Sequence, residues 1–470
     1  MAMVLGVEMS ALSTKVEVRD ADDGKLLVAG QAPHDGARPG RGDYDPRDWW
    51  QAIVDARKDA GGALGVSAIA VAAQSDGLVL LDPEGRVLRP ALVGADELLQ
   101  IDAEWLARDF GGRELWAAAC GAVPDASHAV VKLAHLHHYE PELFPRLGKV
   151  LLPHDYLTYR MSRRFVTDRG DASATGYWSP RENRWRADVL RVIDDAVDWG
   201  RCLPEVLHPL EPAGDREGVL VAPGTGSQPA VALGIGMRPR DAVVALDRSG
   251  TCFALRERLT EDPSTRVADR ADATGRFLPT ARTLRARDVF ETMAALVGLD
   301  AGHVDQLALH APPGSAGVRF APYRESDDTR GGPAPGVLTG LHAGVTHEHV
   351  ARALVEGVVC SLLDGIDALS DAGVPIDGRL WVTGAAARSN AFQRVVADLS
   401  GRAVSVPRVA DAVCLGAAIQ AAAVLHQRTT DDIADAWGVG AAREVEPDPR
   451  VDAAAIRADY ASASASASTG

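Results

Sequence analysis

The chain has 470 residues, 46% apolar and 24% charged, with 49 Lys plus Arg against 65 Asp plus Glu and a formal charge of −16. That length accommodates two or three domains with large cores. The acidic balance argues against nucleic acid or anionic lipid as a partner, while a local phosphate site stays open. The five cysteines (Cys120, Cys202, Cys252, Cys360, Cys414) form no CxxC pair, the N-terminus carries no basic leader pattern, and no apolar run reaches membrane-spanning length. These features predict a cytoplasmic protein with buried free thiols, without disulfides, a zinc site or a membrane segment.

The opening stretch predicts three strands, VLGVEM, TKVEVR and KLLVAG, joined by the turn SALS and by Asp23-Gly24. DPRDWWQAIVDARKDA has a helical apolar period with Asp45 as its cap, and VSAIAVAAQ (66–74) is a buried strand. From about 100 to 215 the chain is mostly helical and charged, and composition loosens at Glu211-Pro212-Ala213-Gly214. VAPGTGSQPAVALGIG (221–236) reads as strand, glycine turn and helix, with Ser227 expected to cap a helix that begins at 228. DAVVALDRSGTCFALRERL repeats the opening strand–turn–strand plan, a weak internal repeat. HVARALVEGVVCSLLDGIDALS places small or apolar residues at 350, 353, 354, 357, 358, 361, 362, 365 and 366, a helical stripe. RLWVTGAAARSNAFQRVVADL is strand, turn and helix, ADAVCLGAAIQAAAVLHQ is a small-residue helix, and the low-complexity end ASASASASTG is expected to be disordered.

This alternation indicates an α/β chain of two lobes. No GxxxxGK followed by Ser or Thr, no GxSxG and no HExxH is present. Small-residue turns follow strands instead: SALSTK (10–15), GTGSQ (224–228), DRSGT (247–251) and TGAAARS (383–389). Backbone N–H groups in such turns reach phosphate oxygens without obstruction by a Cβ.

With DPRDWW (45–50), GLVLLDPEGRVLRPAL (77–92), LLPHDYLTYR (151–160), TDRGDASATGYW (167–178) and PGVLTGL (335–341), the chain resembles the FGGY family of carbohydrate kinases, most closely its xylulokinase members. The resemblance runs from VLGVEMSALSTK to CLGAAIQAAAV. It implies two ribonuclease-H-like domains of the actin-like ATPase superfamily with a cleft between them. It also implies ATP and Mg2+, a sugar or polyol substrate, ADP and a sugar phosphate as products, and a possible homodimer. The domains expected are 1–213 for sugar and 214–445 for nucleotide, with a terminal segment over 446–470 and a low-complexity tail from about 461.

The resemblance also assigns roles, residue by residue. At the opening turn of the second half the family carries Gly-x-Gly-Asp-Asn, whose Asp takes the hydroxyl proton; here Ser227 stands in its place. Where the family grips sugar with Gln-Met-His-Gly, this chain has Gln74, Ser75, Asp76 and Gly77, so Asp76 is a candidate substitute base. Of the family's Trp-Asn-Asp-x-Arg only Asp96 remains. The first phosphate hairpin keeps Gly6, Ser13, Thr14 and Lys15, with Glu8 in place of the Asp that positions Mg2+ through water. The second has Asp247, Arg248, Ser249, Gly250 and Thr251, with an acid where backbone would meet phosphate. The adenosine turn is Gly384, Ala385, Ala386 and Ala387 before Arg388 and Ser389, and the added methyls narrow it. Scaffold segments match and chemical segments depart. Three readings stay open: a kinase impaired or silenced at Ser227, an active kinase using Asp76 or Asp96 as its base, and a non-catalytic sensor or interaction protein.

Overall fold

The computed structural model describes residues 2–34, 43–62, 65–94, 97–247, 250–262, 264–283, 286–322 and 336–467. They form two compact units, the first comprising Met1–Met237, Glu257–Leu278 and Val409–Gly440, the second Arg238–Arg256, Pro279–Arg408 and Ala441–Gly470.

In the first unit the three opening strands form as expected: β1 (Met3–Met9), β2 (Ser13–Asp20) and β3 (Leu26–Pro33). β4 (Ala68–Ala73) is buried along its whole length and runs parallel to β1, as an apolar strand covered on both faces should. β5 (Gly214–Arg216), β6 (Val219–Val221) and β7 (Thr225–Gly226) complete the sheet, whose order is β5-β6-β4-β1-β2-β3 with β7 also paired to β4. The helix Pro46–Asp59 is capped by Asp45, whose carboxylate accepts from the Arg47 N–H. Residues 97–139 are largely helical and close a separate core around Leu80, Trp116, Val130 and Leu133.

The second unit repeats the plan. β8 (Ala242–Leu246) and β9 (Gly250–Ala254) form an antiparallel hairpin, and β10 (Thr280–Thr283) adds to β9. β11 (Leu380–Gly384) lies parallel to β8 on its other side, as β4 does to β1, and β12 (Val404–Pro407) and β13 (Ala442–Val445) follow. The internal repeat expected from sequence is therefore a repeat of topology. Every position of the helical stripe from 350 to 366 is buried in the helix His347–Asp371.

Two expectations need correcting. The compositional break at 211–214 does not separate the units, because β5 and β6 pair into the first sheet and Val409–Gly440 returns to the first unit. The return is driven by the helix Ala412–His426, which is buried from Cys414 to Val424 and needs a partner on every face. The alanine-rich end is also not disordered through its described part: the helix Ala453–Ala467 continues into it, with Tyr460, Ala463 and Ser464 buried. Alanine has the lowest cost of all residues in a helix, and this packing holds the turns in place. All five cysteines are buried and free. Among the described residues no helix is long and apolar enough to cross a membrane.

The helix Ala412–His426 packs on Val4, Ala68, Ala70 and Ala72 of the first sheet through small side chains. At Gly416 a Cβ would collide with the backbone of Ala230 in the helix Ser227–Gly234. Gly416→Ala is expected to lower the urea midpoint, with a loss of about 1–3 kcal/mol typical of overpacking. Gly200→Ala, where the new methyl meets nothing nearer than 3.5 Å, is expected to leave the midpoint unchanged.

Candidate active site

Strands β1, β4 and β7 are parallel neighbours whose carboxyl ends coincide, with Met9 and Gly226 both paired to Ala73. Ser10, Gln74 and Ser227 therefore leave the same edge of the sheet. In open α/β sheets this edge is where ligands bind.

On the β1–β2 hairpin, Glu8 and Lys15 are cross-strand partners. Lys15 Nζ lies 3.2 Å from Glu8 Oε2 and 2.9 Å from Asp411 Oδ2, and so bridges two carboxylates. Burial and the neighbouring Asp411 charge push Glu8 up to about 7. Burial opposes ionisation of Asp411 too, but a proton from Glu8, the Cys414 N–H and Lys15 outweigh it and hold Asp411 below the usual carboxylate range. Glu8 Oε2 is buried and, among the described residues, has its ion pair to Lys15 but no hydrogen bond of good geometry. Cys414 Sγ lies within 4.8 Å of both carboxylates, but burial holds its thiol protonated and it donates to the Lys15 carbonyl at 3.7 Å. Ser13 belongs to the turn itself, its N–H bonded to Ser10 Oγ and its Oγ accepting from Gln31. The side chain of Thr14 is fully buried and bonded to His34 Nε2 at 2.9 Å.

A second cluster lies under the GTGSQ turn. His154, in the helix Pro153–Ser162, is completely buried among Asp155, Asp168 and Asp171. Its Nδ1 bonds Asp171 Oδ2, and its Nε2 lies 3.2 Å from Asp155 Oδ1 and 3.9 Å from Asp168 Oδ1. Asp168 caps the helix Arg169–Ala174 and accepts from Thr225 Oγ1 at 2.7 Å. Ser75 donates its hydroxyl hydrogen to the other oxygen of Asp171. The two turn glycines follow from this packing. Gly224 has φ +80° and faces His154 Cδ2, and a Cβ on Gly226 would strike Asp171 Oδ1 and Ser75 Oγ. Gln420 Nε2, from the helix Ala412–His426, holds the Gly224 carbonyl at 3.0 Å.

Ser227 is not the helix cap. It is the first residue of the helix Ser227–Gly234, Gly226 occupies the cap position, and no side-chain hydrogen bond caps this end. The turn leaves the sheet one residue earlier than the proline at 229 suggested. Gln74, Ser75 and Asp76 are all partly buried on the loop after β4, and the Asp76 carbonyl accepts from the Gly94 N–H. Asp96 lies outside the described residues, as do Arg248 and Ser249.

In the second unit the edge formed by β8 and β11 carries the other expected residues. Asp247 is exposed at the end of β8, while Gly250 and Thr251 are buried in β9, paired with Leu246 and Ala245. Gly384 pairs with Leu246, and Ala385–Arg388 form a single 3-10 turn in which Ala385 is partly buried. Ala386 is fully buried. Asp305, unmarked in the sequence, anchors this turn by accepting from Ser389 Oγ and from the Ala391 N–H.

The residues that sequence reasoning passed over are His154, Asp155, Asp168 and Asp171. They stand inside LLPHDYLTYR and TDRGDASATGYW, and the available signal was a histidine and three acids in segments otherwise fit for a core. Burial disfavours the imidazolium, but the charges of Asp155 and Asp171, the bond to Asp171 and the charge of Asp168 outweigh it and push His154 up to about 10. Burial also pushes Asp155 up to about 7 and Asp168 up to about 6, against the pull of His154. A histidine whose folded pKa is raised stabilises the fold fully below its unfolded value of 6.5 and loses that contribution as pH rises through about 10. Spectra of 15N-histidine-labelled protein at pH 8 are expected to show one doubly protonated imidazole, absent from His154→Gln. The thermal midpoint should fall between pH 6.5 and 10. A fully neutral imidazole set at pH 8 would contradict this reading.

The sequence matches the FGGY family of carbohydrate kinases in its N-terminal domain over residues 3–232 and in its C-terminal domain over residues 276–425. It is 38% identical over 457 residues to a xylulose kinase of Streptomyces rubiginosus, covering 94% of this chain and 92% of that protein. It is 32% identical over 423 residues to a xylulose kinase of Escherichia coli, covering 84% and 83%. The fold is similar to the crystal structure of xylulose kinase from Bifidobacterium adolescentis, with a TM-score of 0.82, 30% identity and coverage of 98% of this chain and 99% of that one. Two α/β units that repeat one hairpin-led topology, charged or small-residue turns at the carboxyl ends of their strands, and these similarities agree: the chain belongs to the FGGY family of carbohydrate kinases, with the two-domain actin-like ATPase fold.

Proposed function

We propose that this chain transfers the terminal phosphoryl group of ATP to a ketose hydroxyl, with D-xylulose the first candidate, and that hydroxyl activation is its slow step. The substrate class follows from the relatives named xylulose kinase. The slow step rests on one observation: Ser227 occupies the first turn of the helix Ser227–Gly234, where the family resemblance places an aspartate. A serine hydroxyl is not ionised at neutral pH and cannot accept the substrate proton as a carboxylate does. Loss of a general base typically costs about 10²–10⁴ in rate. Phosphoryl transfer otherwise depends on positioning and charge stabilisation, which do not require that base.

The first hairpin supports the charge-stabilising part. Lys15 offers an ammonium for phosphate oxygens, held by Glu8 and Asp411. The same two carboxylates offer oxygens to a divalent cation: Glu8 Oε2 is buried with its ion pair to Lys15 at 3.2 Å, and Asp411 is kept ionised beside it. Mg2+ takes one or two carboxylates together with water and phosphate oxygens. Cys414 does not belong to such a set, being a protonated thiol against a hard cation. A bound Mg2+ supplies neutralisation of triphosphate charge.

The test is ADP release with Mg-ATP across ketoses and polyols, including D-xylulose, for wild type and Ser227→Asp in parallel. Wild type is expected to turn over slowly on at least one sugar, and Ser227→Asp to raise kcat by about 10²-fold or more. Equal rates for the two proteins would remove the argument from Ser227. Silence of both on every sugar would remove the kinase reading and leave a binding role.

A further inference from the structure

We infer that Asp171, reached through Ser75, accepts the proton of the substrate hydroxyl in this chain; the inference rests on the phosphotransferase reading above. A base must be held in place, must lie where the reacting hydroxyl arrives, and must be reachable from outside. Asp171 is held on all sides: His154 Nδ1 bonds one oxygen, Ser75 Oγ bonds the other, and its own N–H is bonded to Asp168 at 3.0 Å. It lies against Gly226, one residue before the position the family reserves for its base. Asp171 itself is 1% exposed, whereas Ser75 is partly exposed on the loop after β4. The hydroxyl of Ser75 is therefore the accessible end of a chain that runs Ser75–Asp171–His154. Among the described residues Asp76 is tied down through its backbone carbonyl, which accepts from the Gly94 N–H.

The step balances without a further reactant. As the substrate oxygen forms its bond to the terminal phosphorus of a nucleoside triphosphate, the bond from that phosphorus to the leaving diphosphate oxygen breaks. The substrate proton passes to Ser75 Oγ, and the proton of Ser75 passes to Asp171 Oδ1. The proton on Asp171 later returns to solvent through the same hydroxyl. Ser75 is the catalytic residue in this scheme, because it touches substrate. Asp171 acts through it, and His154 is a positioning residue that stays protonated. The relay is a weak substitute for a direct carboxylate, because two protons move instead of one.

A purely structural role for the same network makes a different prediction, and the Ser227→Asp background separates the two. Steady-state ADP release over the sugar panel is measured for wild type, Ser75→Ala, Ser75→Thr, Ser227→Asp and the double variant Ser75→Ala/Ser227→Asp. Ser75→Ala is expected to lose about 10²-fold in kcat with a much smaller change in KM. Ser75→Thr, which keeps a hydroxyl, is expected to retain most of the turnover. In the double variant a carboxylate at 227 takes the proton directly, so turnover returns to the level of Ser227→Asp alone, which also shows that the protein has folded. Wild-type kcat in Ser75→Ala, or an equal loss in both backgrounds, would overturn the relay. A silent wild type beside an active Ser227→Asp would overturn the relay and leave the kinase reading standing. Silence of all five proteins on every sugar would overturn the kinase reading itself.

Discussion

The imidazolium of His154, buried among three carboxylates, ties together segments of the first unit that are distant in the chain. An unpaired charge in a protein interior costs several kcal/mol, and removing one member of a buried pair leaves its partners uncompensated. Here the partners come from three segments. Asp155 sits beside His154 in the helix Pro153–Ser162, Asp168 caps and Asp171 belongs to the helix Arg169–Ala174, and Thr225 of the glycine turn bonds Asp168. Ser75 ties the loop after β4 to the same group. The loop after β4, the glycine turn and two helices are thus tied to one buried charged group.

The other electrostatic centre of that unit is built differently. Glu8, Lys15 and Asp411 are partly exposed, and one ammonium lies between two carboxylates that compete for a proton. His154 and its three carboxylates are buried, with Ser75 the partly exposed residue bonded to them.

Small residues make both possible. Alanine and glycine let the helix Ala412–His426 approach the first sheet and the helix Ser227–Gly234 closely, and the same helix carries Gln420, which fixes the Gly224 carbonyl. The turn between β7 and its helix then has no room for a side chain at 224 or 226. Ser227, the next residue, is the first one free to present a functional group, which is why its identity matters so much to the chemistry proposed.

By itself the sequence determined the local elements: the opening strands, the Asp45 cap, the stripe of the helix His347–Asp371 and the repeated hairpin. These depend on contacts between residues close in the chain, where periodicity and turn chemistry report directly on structure. The family resemblance also marked Glu8, Lys15, Ser75 and Ser227 as residues of interest. Only the tertiary structure decided what they touch. The bond from Ser75 to Asp171 spans 96 residues and that from Lys15 to Asp411 spans 396. It also moved the cap from Ser227 to Gly226, buried Thr14 against His34 and returned Val409–Gly440 to the first unit. Sequence pattern describes the face a residue turns to its own element, but a pairing across hundreds of residues exists only once the sheets have packed and water has been removed from between the charges.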